Sequence, residues 1–173
     1  MFQFVKLFVF ILMALGRTEF AAQDGLTFEQ RSSLPDWAQQ FGDSGLDPQH
    51  SLIAHINPFY QRGDFDGDGK LDLAVFVKQR TSGKLGIAFI HQATKRIYVV
   101  GAGKPIPGHY PEDDDLKWID AWRVFDRGKV EQGAGETPPP RLRGDALTIM
   151  KTESASALLW WNGTEYRWYQ QGD

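Results

Sequence analysis

The sequence predicts a mainly β fold of the α+β kind: one antiparallel sheet domain with a short helix near its N-terminus. Three observations predict it. Over residues 71–78, Leu71, Leu73, Val75 and Val77 fall on one face while Ala74 and Phe76 fall on the other, the pattern of a central strand buried on both sides. Two aromatic-rich runs meet at Asn162-Gly163, a dipeptide that favours a two-residue type I′ hairpin. Six Trp, 12 Phe and five Tyr supply bulky side chains for a β-rich interior.

The chain opens Met1-Phe2-Gln3-Phe4-Val5-Lys6 and then runs from Leu7 to Leu15 without a polar residue. A basic start followed by a short apolar core predicts a secretory signal peptide over residues 1–16, with cleavage after Gly16 or as late as Ala22. Residues 17–173 then form one domain. The apolar core falls short of the roughly 20 residues a membrane span needs. The sequence holds no cysteine to lipidate or to pair. Export without disulfides points to a bacterial secreted or periplasmic protein.

Residues 33–42 read as a short helix: Ser33 can cap it, Asp36 completes a capping box, Pro35 suits the first turn and Gly42 ends it. Trp37 and Phe41 then share one stripe that can lie on a sheet. Residues 52–56 make a short strand or an extended lead-in.

The next stretch, Asp64-Phe65-Asp66-Gly67-Asp68-Gly69-Lys70-Leu71-Asp72, sets carboxylates at positions 1, 3, 5 and 9 of one loop, with a glycine at position 6. Two unit charges about 5 Å apart repel by roughly 3 kcal/mol at an effective dielectric of about 20. A hard divalent cation removes that penalty, and oxygen ligands on a flexible loop suit Ca2+. The expected metal ligands are the side chains of Asp64, Asp66, Asp68 and Asp72 and the backbone carbonyl of Lys70. Gly67 and Gly69 permit the positive φ that a tight wrap requires. The loop begins like an EF-hand, but Val75 stands where that motif has its bidentate Glu, and a strand follows instead of a helix.

Residues 63–77 resemble the calcium loop and following strand of VCBS- or FG-GAP-type repeats, best known from integrin α-chain propellers. The motif occurs once. A propeller needs several four-stranded blades, so the resemblance implies the loop chemistry and leaves the propeller behind.

After this loop and its strand, residues 85–92 and 96–100 complete an antiparallel meander. Residues 118–125 read as a strand or a helical turn, residues 146–151 are a further strand, and residues 157–161 and 164–169 flank the closing hairpin, with Leu159 expected opposite Tyr166 and Trp161 opposite Thr164. Two long irregular stretches, 101–117 and 126–144, interrupt the sheet. Loops of that length in a small domain are usually functional or mobile.

A formal net charge of −3 gives no reason to invoke nucleic acid or an anionic membrane. His50, His55, His91 and His109 show no metal-binding spacing, and His91 reads as half-buried structure. The acidic run Glu112 to Asp115 reads as a solvated tip. Arg62-Gly63-Asp64 and Arg143-Gly144-Asp145 read as chance repeats of a triplet. No nucleophile motif or phosphate-binding loop is present. The expected function is an exported, non-catalytic calcium-binding domain with a structural metal. A carbohydrate-binding protein using exposed Trp from the set Trp118, Trp122, Trp160, Trp161 and Trp168 is the second reading. A glycan hydrolase using loop carboxylates is the third. The sequence names no partner; a glycan or another protein is the candidate.

Overall fold

The structure is a computed structural model that describes residues 25–44, 46–109, 113–135 and 137–172. The expected signal peptide and Glu112 lie outside the described residues. The chain is mainly β, as the sequence predicts, with its strands divided between two antiparallel sheets and two short helices on one side.

The helices are α1 (Phe28–Ser33) and α2 (Asp36–Ser44). One helix starting at Ser33 was expected, and the boundaries differ for identifiable reasons. Thr27 makes the capping box instead: its hydroxyl accepts from Gln30 N, while Gln30 Oε1 accepts from Thr27 N. Ser33 closes α1, and the Pro35 carbonyl accepts the first N–H groups of α2, from Ala38 and Gln39. Gly42 lies inside α2. A Cβ there would stand 3.0 Å from Arg31 Cγ and 3.2 Å from Leu34 Cδ1, so its small size serves the close approach of the two helices rather than a stop.

The first sheet holds β1 (His50–Leu52), β2 (Tyr60–Gly63), β3 (Asp72–Gln79), β4 (Leu85–Ile90) and β5 (Ile97–Gly101). Its order is β1-β3-β4-β5, and β2 shares the β1 edge of β3, pairing with Asp72 to Val75 while β1 pairs with Val77 to Gln79. The second sheet runs β6 (Ala121–Phe125), β7 (Ala146–Lys151), β8 (Ala155–Trp161) and β9 (Tyr166–Gly172) in that order. A 3-10 turn, Leu116–Trp118, leads into β6, so the strand expected from Trp118 begins three residues later.

Alternation along β3 explains the layering. Ala74 and Phe76 point between the sheets and share one core with Ile149, Leu159, Trp161 and Trp168. Leu73, Val75 and Val77 point the other way, beneath Leu34, Ala38, Trp37 and Phe41 of the helical segment. The central position expected for this strand follows from two buried faces. The outer face of the second sheet, Leu158 and Tyr169, is covered by Val130 and Leu142. The irregular 126–144 stretch therefore does part of the work of a third layer.

The closing hairpin differs from the expected register. Trp161 pairs with Tyr166 and Leu159 with Trp168, so Asn162 and Glu165 extend the ladder and the turn centres on Gly163-Thr164. Asn162 Oδ1 draws the turn in by accepting from Thr164 N and Glu165 N, at 2.8 and 2.9 Å. Only Gly163 of this turn has positive φ, which excludes type I′. The shift of two residues preserves the faces, so Trp161, Tyr166 and Trp168 stay on the inner side.

Candidate metal centre

The loop between β2 and β3 is shaped by its own carboxylates. Asp64 Oδ1 accepts from Gly69 N, Asp66 Oδ1 from Asp68 N and Asp68 Oδ1 from Lys70 N, at 3.1, 3.1 and 2.8 Å. Such short-range bonds compete with regular secondary structure and wind the backbone back on itself. Gly67 and Gly69 take φ of 81° and 84° to complete the wrap. As a result, Asp64, Asp66 and Asp68 each bring a carboxylate oxygen within 4.8 Å of the other two.

Phe65 fastens the loop to the core. It is fully buried and meets Phe89 edge to face, with centroids 5.2 Å apart. Burial of such a ring contributes about 1.5–3 kcal/mol, and the aromatic pair adds about 0.5–1.5 kcal/mol. The alternation of Phe65 with Asp64 and Asp66 thus points the apolar residue inward and leaves the acidic pair at the surface side.

Asp72, the first residue of β3, is fully buried and acts as an inner bracket. Its Oδ2 accepts from Phe65 N and Asp66 N, and its Oδ1 accepts from Gln92 N at 2.7 Å. Burial pushes its carboxyl up to about 7; the Gln92 N–H opposes the rise and the Asp66 charge adds to it. Asp72 also forms a second trio of possible metal ligands with Asp66 and His91. His91 is buried just beyond β4, with Nδ1 3.0 Å from Asp66 Oδ2 and Nε2 2.9 Å from Tyr166 Oη. Burial raises the Asp66 carboxyl and lowers the His91 imidazole from their ordinary values.

The second sheet reaches the loop through the segment before β7. Asp145 N donates to the Asp64 carbonyl at 2.7 Å, and Asp145 Oδ2 accepts from Asp64 N at 2.9 Å. Its Oδ1 accepts from Arg127 N, also at 2.9 Å. A Cβ on Gly67 would stand 2.6 Å from the Arg143 carbonyl oxygen, which leaves no room for a side chain between the segments. The two Arg-Gly-Asp triplets, which the sequence offers as chance repeats, therefore lie against one another and clasp through their aspartates.

The predicted site residues accordingly fall into two groups. Asp64, Asp66 and Asp68 converge at the loop surface, and Asp72 joins Asp66 beneath it. Lys70 is exposed and its N–H donates to Asp68. Sequence reasoning missed His91, Tyr166, Gly144 and Asp145. His91 had one signal, a polar residue closing an apolar strand; Asp145 had none, because its partner Asp64 is 81 residues away. The described residues of the other acidic run, Asp113 to Asp115, are braced by protein groups rather than left to solvent. Asp113 accepts from Trp118 Nε1, Asp114 meets Lys84, and Asp115 accepts from Leu85 N.

The Trp side chains serve the interior more than a surface. Trp122, Trp161 and Trp168 are buried between the sheets, Trp160 is half-buried on the outer face, and the Trp118 and Trp168 rings stand at 65° to each other. No coplanar exposed pair of indoles is present among the described residues.

The acidic clusters could hold a metal ion: several carboxylates on a glycine-bearing loop lie close together and repel. Among the described residues, no helix is long and apolar enough to cross a membrane. No protein-family model, no curated protein and no solved structure matches the chain.

Proposed function

We propose that the protein is an exported, non-catalytic calcium-binding domain whose metal is structural, built around a single loop resembling a VCBS or FG-GAP unit. The convergence of Asp64, Asp66 and Asp68 within 4.8 Å carries this reading. Their side chains and the Lys70 carbonyl hold the ion, with Asp72 as the inner carboxylate that shapes the loop. The ion supplies positive charge that cancels carboxylate repulsion. An all-oxygen outer trio favours Ca2+ over Mg2+, which demands near-ideal octahedral geometry.

The position of the loop supports a structural role. The loop joins β2 to β3, the strand buried on both faces, and is clasped by the second sheet through Asp145. A cation bound here stabilises the folded chain by mass action, by about 2.7 kcal/mol at 100 times its dissociation constant. Extracellular modules bind Ca2+ at about 10⁻⁴–10⁻³ M, so the gain at millimolar calcium is smaller. Calorimetric titration of Ca2+ into chelator-stripped protein, paired with melting curves, tests the reading. Wild type is expected to give heat and a raised Tm, and Asp68→Ala neither. No heat and no shift in wild type refutes it. Export is tested by mass spectrometry of protein recovered outside the cytoplasm, where an intact Met1 refutes it.

A further inference from the structure

We infer that His91, held from behind by Tyr166, is a positioning residue for the proposed cation site: its Nδ1–H fixes the Asp66 carboxylate that the cation uses. The inference rests on the calcium reading above. His91 lies outside the loop, beyond β3 and β4 in the sequence, and the antiparallel pairing of those strands, with Leu73 opposite Ile90, brings it to Asp66.

The tautomer follows from the two contacts. A neutral imidazole has one N–H and one acceptor nitrogen. Asp66 Oδ2, 3.0 Å from Nδ1, is an acceptor when ionised, so the proton belongs on Nδ1. Nε2 is then the acceptor and takes the O–H of Tyr166 at 2.9 Å. The opposite tautomer sets the Nδ1 lone pair against a carboxylate oxygen. The donor chain Tyr166 to His91 to Asp66 satisfies all three polar groups, and the parts are rigidly mounted. Tyr166 stacks on Phe89 at 3.7 Å and 11°, while the His91 ring meets Tyr98 and Trp161. Asp66 Oδ1 is meanwhile tied to Asp68 N, so both oxygens of this carboxylate are oriented. Residues that hydrogen-bond a metal-ligating carboxylate in this way typically contribute about 10–100-fold to metal affinity.

The experiment has two independent readouts. Long-range proton–nitrogen correlation NMR on 15N-histidine protein, without calcium, reports the tautomer. A protonated Nδ1 on His91 is expected, and a protonated Nε2 overturns the inference whether or not calcium binds. Calorimetric calcium titration then compares wild type with His91→Leu, His91→Asn and Tyr166→Phe. His91→Leu is expected to weaken affinity about 10–100-fold. His91→Asn, whose amide N–H can occupy the place of Nδ1–H, is expected to recover most of the loss. Tyr166→Phe keeps the ring stack and is expected to weaken binding severalfold. Equal affinity in all four proteins, or His91→Asn as weak as His91→Leu, overturns the positioning role. If wild type shows no calcium binding, both readings fall together.

Discussion

Gly144→Ala is the substitution that most directly tests the clasp between the sheets. Gly144 is buried against the acidic loop between β2 and β3, and a Cβ there would overlap the Asp64 carbonyl oxygen and stand 2.6 Å from Gly67 N and 3.0 Å from Gly67 Cα. Contacts of this kind are comfortable only near 3.5 Å or more. The 143–145 segment must therefore withdraw by roughly 1 Å, because the atoms it meets are backbone and cannot rotate away. Withdrawal stretches Asp145 N to Asp64 O from 2.7 Å and Asp64 N to Asp145 Oδ2 from 2.9 Å, beyond hydrogen-bonding range. Overpacking costs about 1–3 kcal/mol. The two hydrogen bonds contribute roughly 1 kcal/mol for the neutral one and about 1.5–3 kcal/mol for the one to a carboxylate. These effects are alternatives in part, since movement that relieves the clash is what breaks the bonds, so the expected loss is about 3–5 kcal/mol. In a domain of this size that lowers Tm by roughly 6–20 °C. Urea unfolding and scanning calorimetry in chelator measure it free of any cation. Gly128→Ala is the control: its Cβ would meet one atom, Asp126 O at 3.6 Å. It is expected to change stability by no more than about 0.5 kcal/mol. A loss below about 1 kcal/mol in Gly144→Ala refutes the clasp as a rigid contact.

Gly163 has φ of 108° in the closing turn, so Gly163→Val is expected to cost about 1–3 kcal/mol through backbone strain; an unchanged urea midpoint shows that the turn lacks this conformation. Asp120 gives a pH test. Its Oδ1 accepts the N–H and O–H of Thr152, each at 2.8 Å, and Lys151 Nζ lies 3.0 Å from Oδ2. The Thr152 backbone bond leads in holding its carboxyl down to about 2, aided by the Thr152 hydroxyl and Lys151. A folded pKa below the unfolded value stabilises at higher pH, so the contribution is present above about pH 4 and fades as pH falls toward 2. Asp120→Ala is expected to melt below wild type at pH 7 and to converge with it near pH 2. Parallel melting curves across that range contradict the assignment.

Much of this protein is written in short-range pattern. The alternation through Leu73 to Val77 determines a strand apolar on both faces, and packing follows on both sides. The spacing of Asp64, Asp66 and Asp68 determines their convergence, because each carboxylate binds an N–H only two to five residues ahead. The turn at Asn162-Gly163 is likewise local, although which residues occupy its centre depended on the Asn162 side chain and on the neighbouring strands. The helix expected over 33–42 forms as Asp36–Ser44, because Ser33 is taken up as the last residue of a preceding helix that Thr27 and Gln30 cap.

Tertiary structure alone decided the division into two sheets and the surroundings of the loop. Sheet membership depends on long-range pairing, and the inner faces of the two sheets carry the same apolar pattern that one larger sheet would. Asp145 reaches Asp64 across 81 residues, and Tyr166 reaches His91 across 75. No periodicity spans such distances. Gly144 shows the reason most clearly: nothing about a glycine in a loop reveals the neighbour that requires it, and only the folded chain brings the Asp64 carbonyl to where its side chain would be. Local sequence chooses the elements and the cluster of acidic charge; the meeting of distant surfaces chooses the groups that hold that charge in place.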